Sequence, residues 1–176
     1  MCVDNDLPFV RRVVADLEGA GVLTWLFGGW AEELVGLCLP RHHHDVDLLY
    51  PAQDFGVVDA FLAHGTVDEI TAKRFPHKRA FETDRIMVEL FLVQSAESGY
   101  YTDFWGATRH DWPANVLGVQ AGGLRVASAM ALVDYRAKQT NYQPSIDGRP
   151  ATAEQWLQHQ GGSTQGNHST DGRSRA

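Results

Sequence analysis

The chain has 176 residues, with 15 Lys and Arg against 22 Asp and Glu for a formal net charge of −7, and a 44% apolar share. That length and apolar content suit one domain with a core of its own, needing no disulfide or metal staple. The acidic balance argues against a protein whose main task is gripping duplex nucleic acid, an affinity that comes from Lys and Arg on phosphates, and leaves a small partner open, a cationic one included.

Along the chain, Leu7, Val10, Val13, Val14 and Leu17 recur at helical spacing, and Gly19 and Gly21 stop that helix. Residues 22–27 read as a short buried strand, Gly28-Gly29 as a turn and 30–35 as a short helix. A second strand spans 44–50, closed by Pro51, and an amphipathic helix spans 55–64. Residues 66–73, 79–83 and 86–93 read as further strands, with Asp84-Arg85 turning between the last two, so the sheet is expected to be mixed. Residues 95–115 read as irregular and rich in Trp and Tyr; 116–127 resembles a hairpin around Gly122-Gly123; 128–140 reads as a helix capped by Ser128, and 152–159 as a last short helix. From His159 onward large apolar residues cease, which predicts a domain over 1–158 and a disordered tail over 159–176.

Cys2 and Cys38 are too few for a disulfide framework, and a reducing compartment is the simpler setting. Asp4, Asp6, Arg11 and Arg12 interrupt any signal-peptide core, and no stretch approaches the length of a membrane span, so a soluble cytoplasmic protein is expected.

The chemistry concentrates in Gly28-Gly29-Trp30 and the run from Arg41 through His42-His43-His44 to Asp45-Val46-Asp47. Strand residues two apart share a face, with backbones about 6.5 to 7 Å apart, so Asp45 and Asp47 present two carboxylates to one cleft while Val46 and Leu48 face the core. With a third acid such a pair can hold Mg²⁺ ions about 3.5 to 4 Å apart, the arrangement that activates an attacking oxygen and steadies a leaving pyrophosphate. The candidate third acid is Glu89, the lone charge in the run from Ile86 to Val93. Ionised in so apolar a strand, it must face solvent, carry a raised pKa or meet a cation. The plainer alternative for all three is a row of solvent-facing strand acids.

Glycines at a strand-to-helix turn let backbone amides approach an anion, which makes Gly28-Gly29 a candidate for triphosphate binding, although most glycine pairs are simply turns. Arg41 precedes the Asp pair by four residues, where a guanidinium can reach phosphate or stay a solvated loop residue. Three consecutive histidines cannot converge on one ion from a regular strand; His43 has the parity of Asp45 and Asp47 and is expected in the cleft, with His42 and His44 outside it. Tyr100, Tyr101, Trp105 and Trp112 either line a binding loop or pack over the sheet.

Gly28-Gly29-Trp30-Ala31 followed by Arg41, His43, Asp45 and Asp47 resembles the signature of the aminoglycoside 2''-adenylyltransferases and lincosamide nucleotidyltransferases, small members of the DNA polymerase beta-like nucleotidyltransferase superfamily. The likeness continues through Glu89, Trp112-Pro113, Gly123-Leu124-Arg125-Val126 and Asp134-Tyr135-Arg136-Ala137-Lys138; a late Arg-Pro-Lys-Asp-type motif of such proteins survives only as Arg149-Pro150. The resemblance implies an α+β nucleotidyltransferase fold, a mixed sheet flanked by helices with a small C-terminal helical and hairpin part. It implies transfer of a nucleoside monophosphate, AMP from ATP foremost, to a hydroxyl of an antibiotic-type small molecule. In that reading Asp45, Asp47 and Glu89 are the catalytic and Mg²⁺-binding acids, and Gly28, Gly29, Arg41, His43 and Lys138 attend the nucleotide. A biosynthetic enzyme on this scaffold and a non-catalytic, antitoxin-like regulator are the alternatives. Three acids placed to repel one another favour the enzyme.

Overall fold

The structure, a computed structural model, describes residues 4–162. It divides into two compact units, the first reaching Tyr142 and the second beginning at Gln143. Among the described residues no helix is long and apolar enough to cross a membrane.

Helix α1 (Leu7–Gly19) starts where Asp6 accepts a hydrogen bond from the Phe9 amide at 2.8 Å, and buries Phe9, Val10, Val13, Val14 and Leu17 as its spacing predicts. Strand β1 (Trp25–Phe27) runs straight into helix α2 (Gly28–Leu34), so the two glycines begin the helix instead of forming a separate turn. Strand β2 (Asp45–Pro51) and helix α3 (Gly56–Ala63) follow. The strand expected over 66–73 is only β3 (Asp68–Glu69), with a 3₁₀ turn at Thr71–Lys73; β4 (Lys78–Thr83) begins one residue earlier than predicted, and β5 (Ile86–Ala96) runs three residues further. The stretch predicted to be irregular holds a hairpin, β6 (Gly99–Phe104) and β7 (Thr108–Asp111). Strands β8 (Val119–Ala121) and β9 (Leu124–Val126) form the expected hairpin around Gly122-Gly123, and helix α4 (Ala129–Lys138) is capped by Ser128, whose hydroxyl accepts from the Ala131 amide at 3.2 Å.

One nine-stranded mixed sheet results, in the order β3-β4-β5-β2-β1-β9-β8, with β6 and β7 attached to the far end of β5. β2 lies parallel to β5 and antiparallel to β1, and β4 lies antiparallel to β5. β5 is long enough to do two jobs: residues 86–93 sit between β2 and β4, and residues 94–96 carry β6. Val46, Leu48, Val88 and Leu90 are fully buried on the core face of the central pair, and α2 packs on β1, β2 and α4.

The second unit is a short hairpin, β10 (Ser145–Ile146) and β11 (Arg149–Pro150), followed by helix α5 (Ala153–Gly162). Asp147 and Gly148 both have positive φ, the conformation that a two-residue hairpin turn requires and that Asp-Gly supplies. Thr152 and Gln155 exchange hydrogen bonds as a capping box, at 2.9 and 3.2 Å, which starts α5. The helix covers the first residues of the expected tail; the rest of that tail, and Cys2, lie outside the described residues.

Candidate active site

Cross-strand register assembles the site. Asp47 pairs with Glu89 on one side and with Phe27 on the other, and Glu89 pairs with Ala80, so Phe27, Asp47, Glu89 and Ala80 form one row across four strands. Paired residues project to the same face, and the row opens into a cavity of about 370 Å³ that Asp45 also lines. Gly28, Gly29, Glu32 and Arg136 close it toward α2 and α4, and Lys78, Phe91 and Trp105 toward β4 and β5.

Gly28 adopts a φ of +60°, and a Cβ on it would fall inside the Asp47 carboxylate. Only glycine satisfies both conditions, and the backbone thereby comes into contact with the acid. Gly29 has a different reason: a Cβ there would stand 2.8 Å from His43 Nδ1. Asn5 ties down the start of β2, donating to the carbonyls of His43 and Asp45 at 3.1 and 3.0 Å and accepting from the Trp30 indole at 3.1 Å.

Charge in the cavity is concentrated. Burial foremost, then repulsion from Asp45 and Glu89, pushes the Asp47 carboxyl up to about 7, against the pull of Lys78 and Lys73. Glu89 is buried and accepts hydrogen bonds from Lys73 Nζ at 2.6 Å and Lys78 Nζ at 3.2 Å. Ala80, the small residue opposite Glu89, leaves room for Lys78 to reach it along the same strand face. At the other end Glu32, also buried, accepts from Arg41 at 3.1 Å and from both Nε and a terminal nitrogen of Arg136.

Of the residues singled out in the sequence, Gly28, Gly29, Asp45, Asp47 and Glu89 line this cavity together, and Arg41, His43 and Lys138 do not. Residue 43 precedes the strand, so strand parity does not apply to it; His43 is buried beneath Gly29, its ring tilted against Trp30 with centroids 4.3 Å apart, and its Nε2 donates to Glu33 at 2.9 Å. That bond, aided by the Arg41 amide, holds Glu33 below the usual carboxylate range. Arg41 acts through Glu32 at the rim. Lys138 lies on the exposed side of α4, bonded to Asp134 one turn back at 2.9 Å. The cavity face of α4 is Leu132, Tyr135, Arg136 and Gln139, and a residue two positions past Arg136 is turned away from it.

The residues that sequence reading missed are Arg136, Glu32, Lys73 and Lys78. Placing the start of β4 at Arg79 left Lys78 outside the strand, and only the register shows that it neighbours Glu89. Of the aromatic residues, Trp105 lines the cavity, whereas Trp112 is buried and donates to Thr102 at 2.9 Å, and Tyr101 lies under the Arg109 guanidinium at 3.8 Å. His42 and His44 are exposed with rings 5.0 Å apart.

Asp45 and Asp47 are hard oxygen donors in a pocket with excess negative charge, which suits a divalent cation. Among the described residues no group of three His, Cys, Asp or Glu is arranged to hold one ion. Two carboxylates fit Mg²⁺ all the same, because that ion takes one or two protein carboxylates and completes its octahedron with phosphate oxygens and water.

A profile of the aminoglycoside-2''-adenylyltransferase family matches residues 9–126, which hold the glycine pair and all three acids. The chain belongs to this family. It is a nucleotidyltransferase that uses a nucleotide co-substrate and a small-molecule acceptor. No curated protein sequence matches this family member closely enough to add a relative. Among solved structures it is similar to ANT(2'')-Ia in complex with adenylyl-2''-tobramycin, at 16% identity and a TM-score of 0.58, with 81% of this chain and 80% of that one covered. It is similar to the lincosamide adenylyltransferase LnuA with lincomycin bound, at 13% identity and a TM-score of 0.60, over 76% and 87% of the two chains. A Thermotoga maritima protein assigned as a nucleotidyltransferase aligns at 19% identity and a TM-score of 0.51, over 77% and 84%. At identities this low the likeness establishes the fold alone, a nucleotidyltransferase fold.

Proposed function

We propose that the chain transfers AMP from ATP, with Mg²⁺, to a hydroxyl group of an antibiotic-type small molecule in the cytoplasm. The observation that carries this reading is the cross-strand row that sets Asp47 beside Glu89, with Asp45 on the same face and the Gly28 backbone against Asp47. Nucleotidyl transfer needs positioning and charge neutralisation more than covalent help from the protein, and this row with its flanking cations provides both.

In the proposed step the acceptor oxygen attacks the α-phosphorus of ATP. A new P–O bond forms as the bond from that phosphorus to the bridging oxygen breaks, and pyrophosphate leaves with the electron pair. Glu89 takes the hydroxyl proton, a role that suits a carboxylate one strand from Asp47 with its own counter-ions in Lys73 and Lys78. Asp45 and Asp47 hold Mg²⁺, which supplies Lewis-acid polarisation of the phosphate and screens its charge. Arg136, held by Glu32, attends the phosphates beside Gly28 and Gly29. Arg41 braces that arrangement from outside.

Mass spectrometry of reactions of the chain with ATP, Mg²⁺ and a panel of aminoglycosides and lincosamides tests the proposal. An acceptor 329 mass units heavier, about the mass of an adenylyl group replacing a hydroxyl proton, is the expected outcome. Absence of any nucleotide adduct, together with no measurable ATP binding, would sink it.

A further inference from the structure

Helix α4 turns into the cavity one residue that the reaction as described does not use. Tyr135 stands beside Arg136 on the cavity face. Its ring lies edge-on to Phe27 with centroids 5.0 Å apart and to His110 at 5.8 Å, tilted on Phe104 at 5.9 Å, and stacked on Trp112 at 5.8 Å and on Tyr142 at 6.0 Å. A ring packed in this way cannot swing, so its hydroxyl has a fixed place. That place is beside the row of acids: Phe27 is the row member paired with Asp47, and burial foremost, then the charges of Asp47 and Glu89, pushes the phenol up to about 12.

The aromatic residues around Tyr135 spend their polar atoms inside the protein. Tyr142 shares a hydrogen bond of 2.5 Å with His110 Nδ1, and the Trp112 indole donates to the Thr102 hydroxyl at 2.9 Å. The Trp105 indole donates to the Tyr142 carbonyl at 2.7 Å, and its amide to His77 Nδ1 at 3.0 Å. The Tyr135 hydroxyl differs from all of these: among the described residues nothing accepts from it or donates to it, and it is not sealed away from the cavity. A tyrosine set among packed rings ordinarily satisfies its hydroxyl, and this one turns it to a space that a ligand fills.

We propose that Tyr135 is a further catalytic residue of the transfer, its hydroxyl donating a hydrogen bond to a non-bridging oxygen of the α-phosphoryl group. A phenol is protonated at neutral pH, so beside Asp47 and Glu89 it is a neutral donor among acids. In the proposed reaction the phosphorus lies between the metal on Asp45 and Asp47 and the base Glu89, and its non-bridging oxygens carry negative charge through the transition state. A donor already fixed at that point holds the charge without reorganisation, and Arg136, the next residue of the helix, attends the rest of the triphosphate.

This inference rests on the nucleotidyl-transfer reading, and the experiment separates the two. Pyrophosphate release by the full chain and by Tyr135→Phe is followed with ATP and with each diastereomer of its α-phosphorothioate, in Mg²⁺, against the same panel of aminoglycosides and lincosamides. Tyr135→Phe is expected to lower kcat about 10²-fold, as loss of one preorganised donor does, with the KM for ATP within about threefold. Its urea midpoint should match that of the native chain, because the ring packing is kept and no bond within the protein is lost. Sulfur is a poor hydrogen-bond acceptor, so the diastereomer with sulfur facing Tyr135 should slow the native chain, and in Tyr135→Phe that penalty should shrink about tenfold. 3-Fluorotyrosine at position 135, which keeps the size and the donor, should keep kcat within about threefold. A native kcat in Tyr135→Phe, a loss matched by a lower urea midpoint, a thio penalty equal in the two proteins, or loss of activity with 3-fluorotyrosine would each overturn the inference while native turnover still upheld the reaction. No pyrophosphate release by the native chain with any acceptor would overturn both.

Discussion

Two buried glutamates each hold two cations, and they do so for opposite ends. Glu32, on α2, binds Arg41 and Arg136, whose side chains remain 49% and 58% exposed. Glu89, in mid-strand, binds Lys78 at 13% and Lys73 at 36% exposure. At the first, the carboxylate serves the cations: it anchors two planar guanidiniums that stay open to solvent, and in the proposed reaction the one on the cavity, Arg136, is thereby held ready for phosphate. At the second, the cations serve the carboxylate, supplying the partners that a charge buried in an apolar strand requires. In the proposed reaction the same three-charge arrangement thus serves as a grip at one end and as a reactive group at the other.

The largest effect belongs midway between them. Asp45→Asn or Asp47→Asn should lower kcat by a factor on the order of 10³ or more, since in the proposed site each supplies one of the two carboxylates that position the ion. Stability, followed by urea unfolding, should hold or rise, because the raised Asp47 titration reflects burial of its charge first and then repulsion from Asp45 and Glu89, and either change removes one buried charge from the pair. Turnover within tenfold of the native chain would show that the metal sits elsewhere.

Substituting the two glutamates tests the contrast itself. Glu89→Gln keeps the shape but cannot accept a proton, and should cut kcat by about 10² to 10⁴ with ATP affinity nearly constant. It also strands two partly covered ammonium groups and should cost about 2 kcal/mol of stability. Glu32→Gln should instead raise the KM for ATP about tenfold and change kcat less, its arginines losing their anchor but not their hydration. If both variants give the same pattern, the two ends do not differ as described.

His77 sharpens the contrast from a third direction. Its folded pKa, about 3, lies below its ordinary 6.5, so the unfolded chain binds the extra proton between those values. Its contribution to stability is therefore complete above about pH 6.5 and declines as pH falls, by roughly 3 kcal/mol at pH 4. His77→Asn retains an acceptor for the Trp105 amide without the titration, and should flatten the slope of the unfolding midpoint between pH 7 and 4. A slope as steep as in the native chain would assign it to other groups.

The smallest effects separate neighbours on α4. Arg136→Ala should weaken ATP binding about tenfold, the loss of one charge-assisted phosphate contact. Lys138→Ala should change it less than twofold, because its partner is Asp134 on the exposed face. Nucleotide titrations of both variants decide which cation the site uses.

How far the sequence could be read follows from which contacts are local. Asp45 and Asp47 were found because a period of two needs nothing beyond the strand, and α1 and the cap at Ser128 because spacing and capping are local rules. Glu89 was found by the anomaly of one charge in an apolar run. Lys78 and Lys73 were not, since their meaning comes from β4 being antiparallel to β5 with Ala80 opposite Glu89, a long-range register that single residues do not announce. His43 was given a strand parity two residues before the strand starts, and Lys138 a cavity position that helix periodicity assigns to Arg136. The β6–β7 hairpin hid because its turn carries Trp-Gly, where Asn-Gly would have been the signal.

The eleven residues of β5 have a structural consequence. Its first part bears Glu89 among β2 and β4, and its last three residues bear the hairpin that supplies Phe104 and Trp105. One strand thus carries, at separate stations, the proposed base and the hairpin that forms part of the cavity wall. A change in the hairpin can therefore reshape the cavity without moving the row that holds Glu89 beside Asp47.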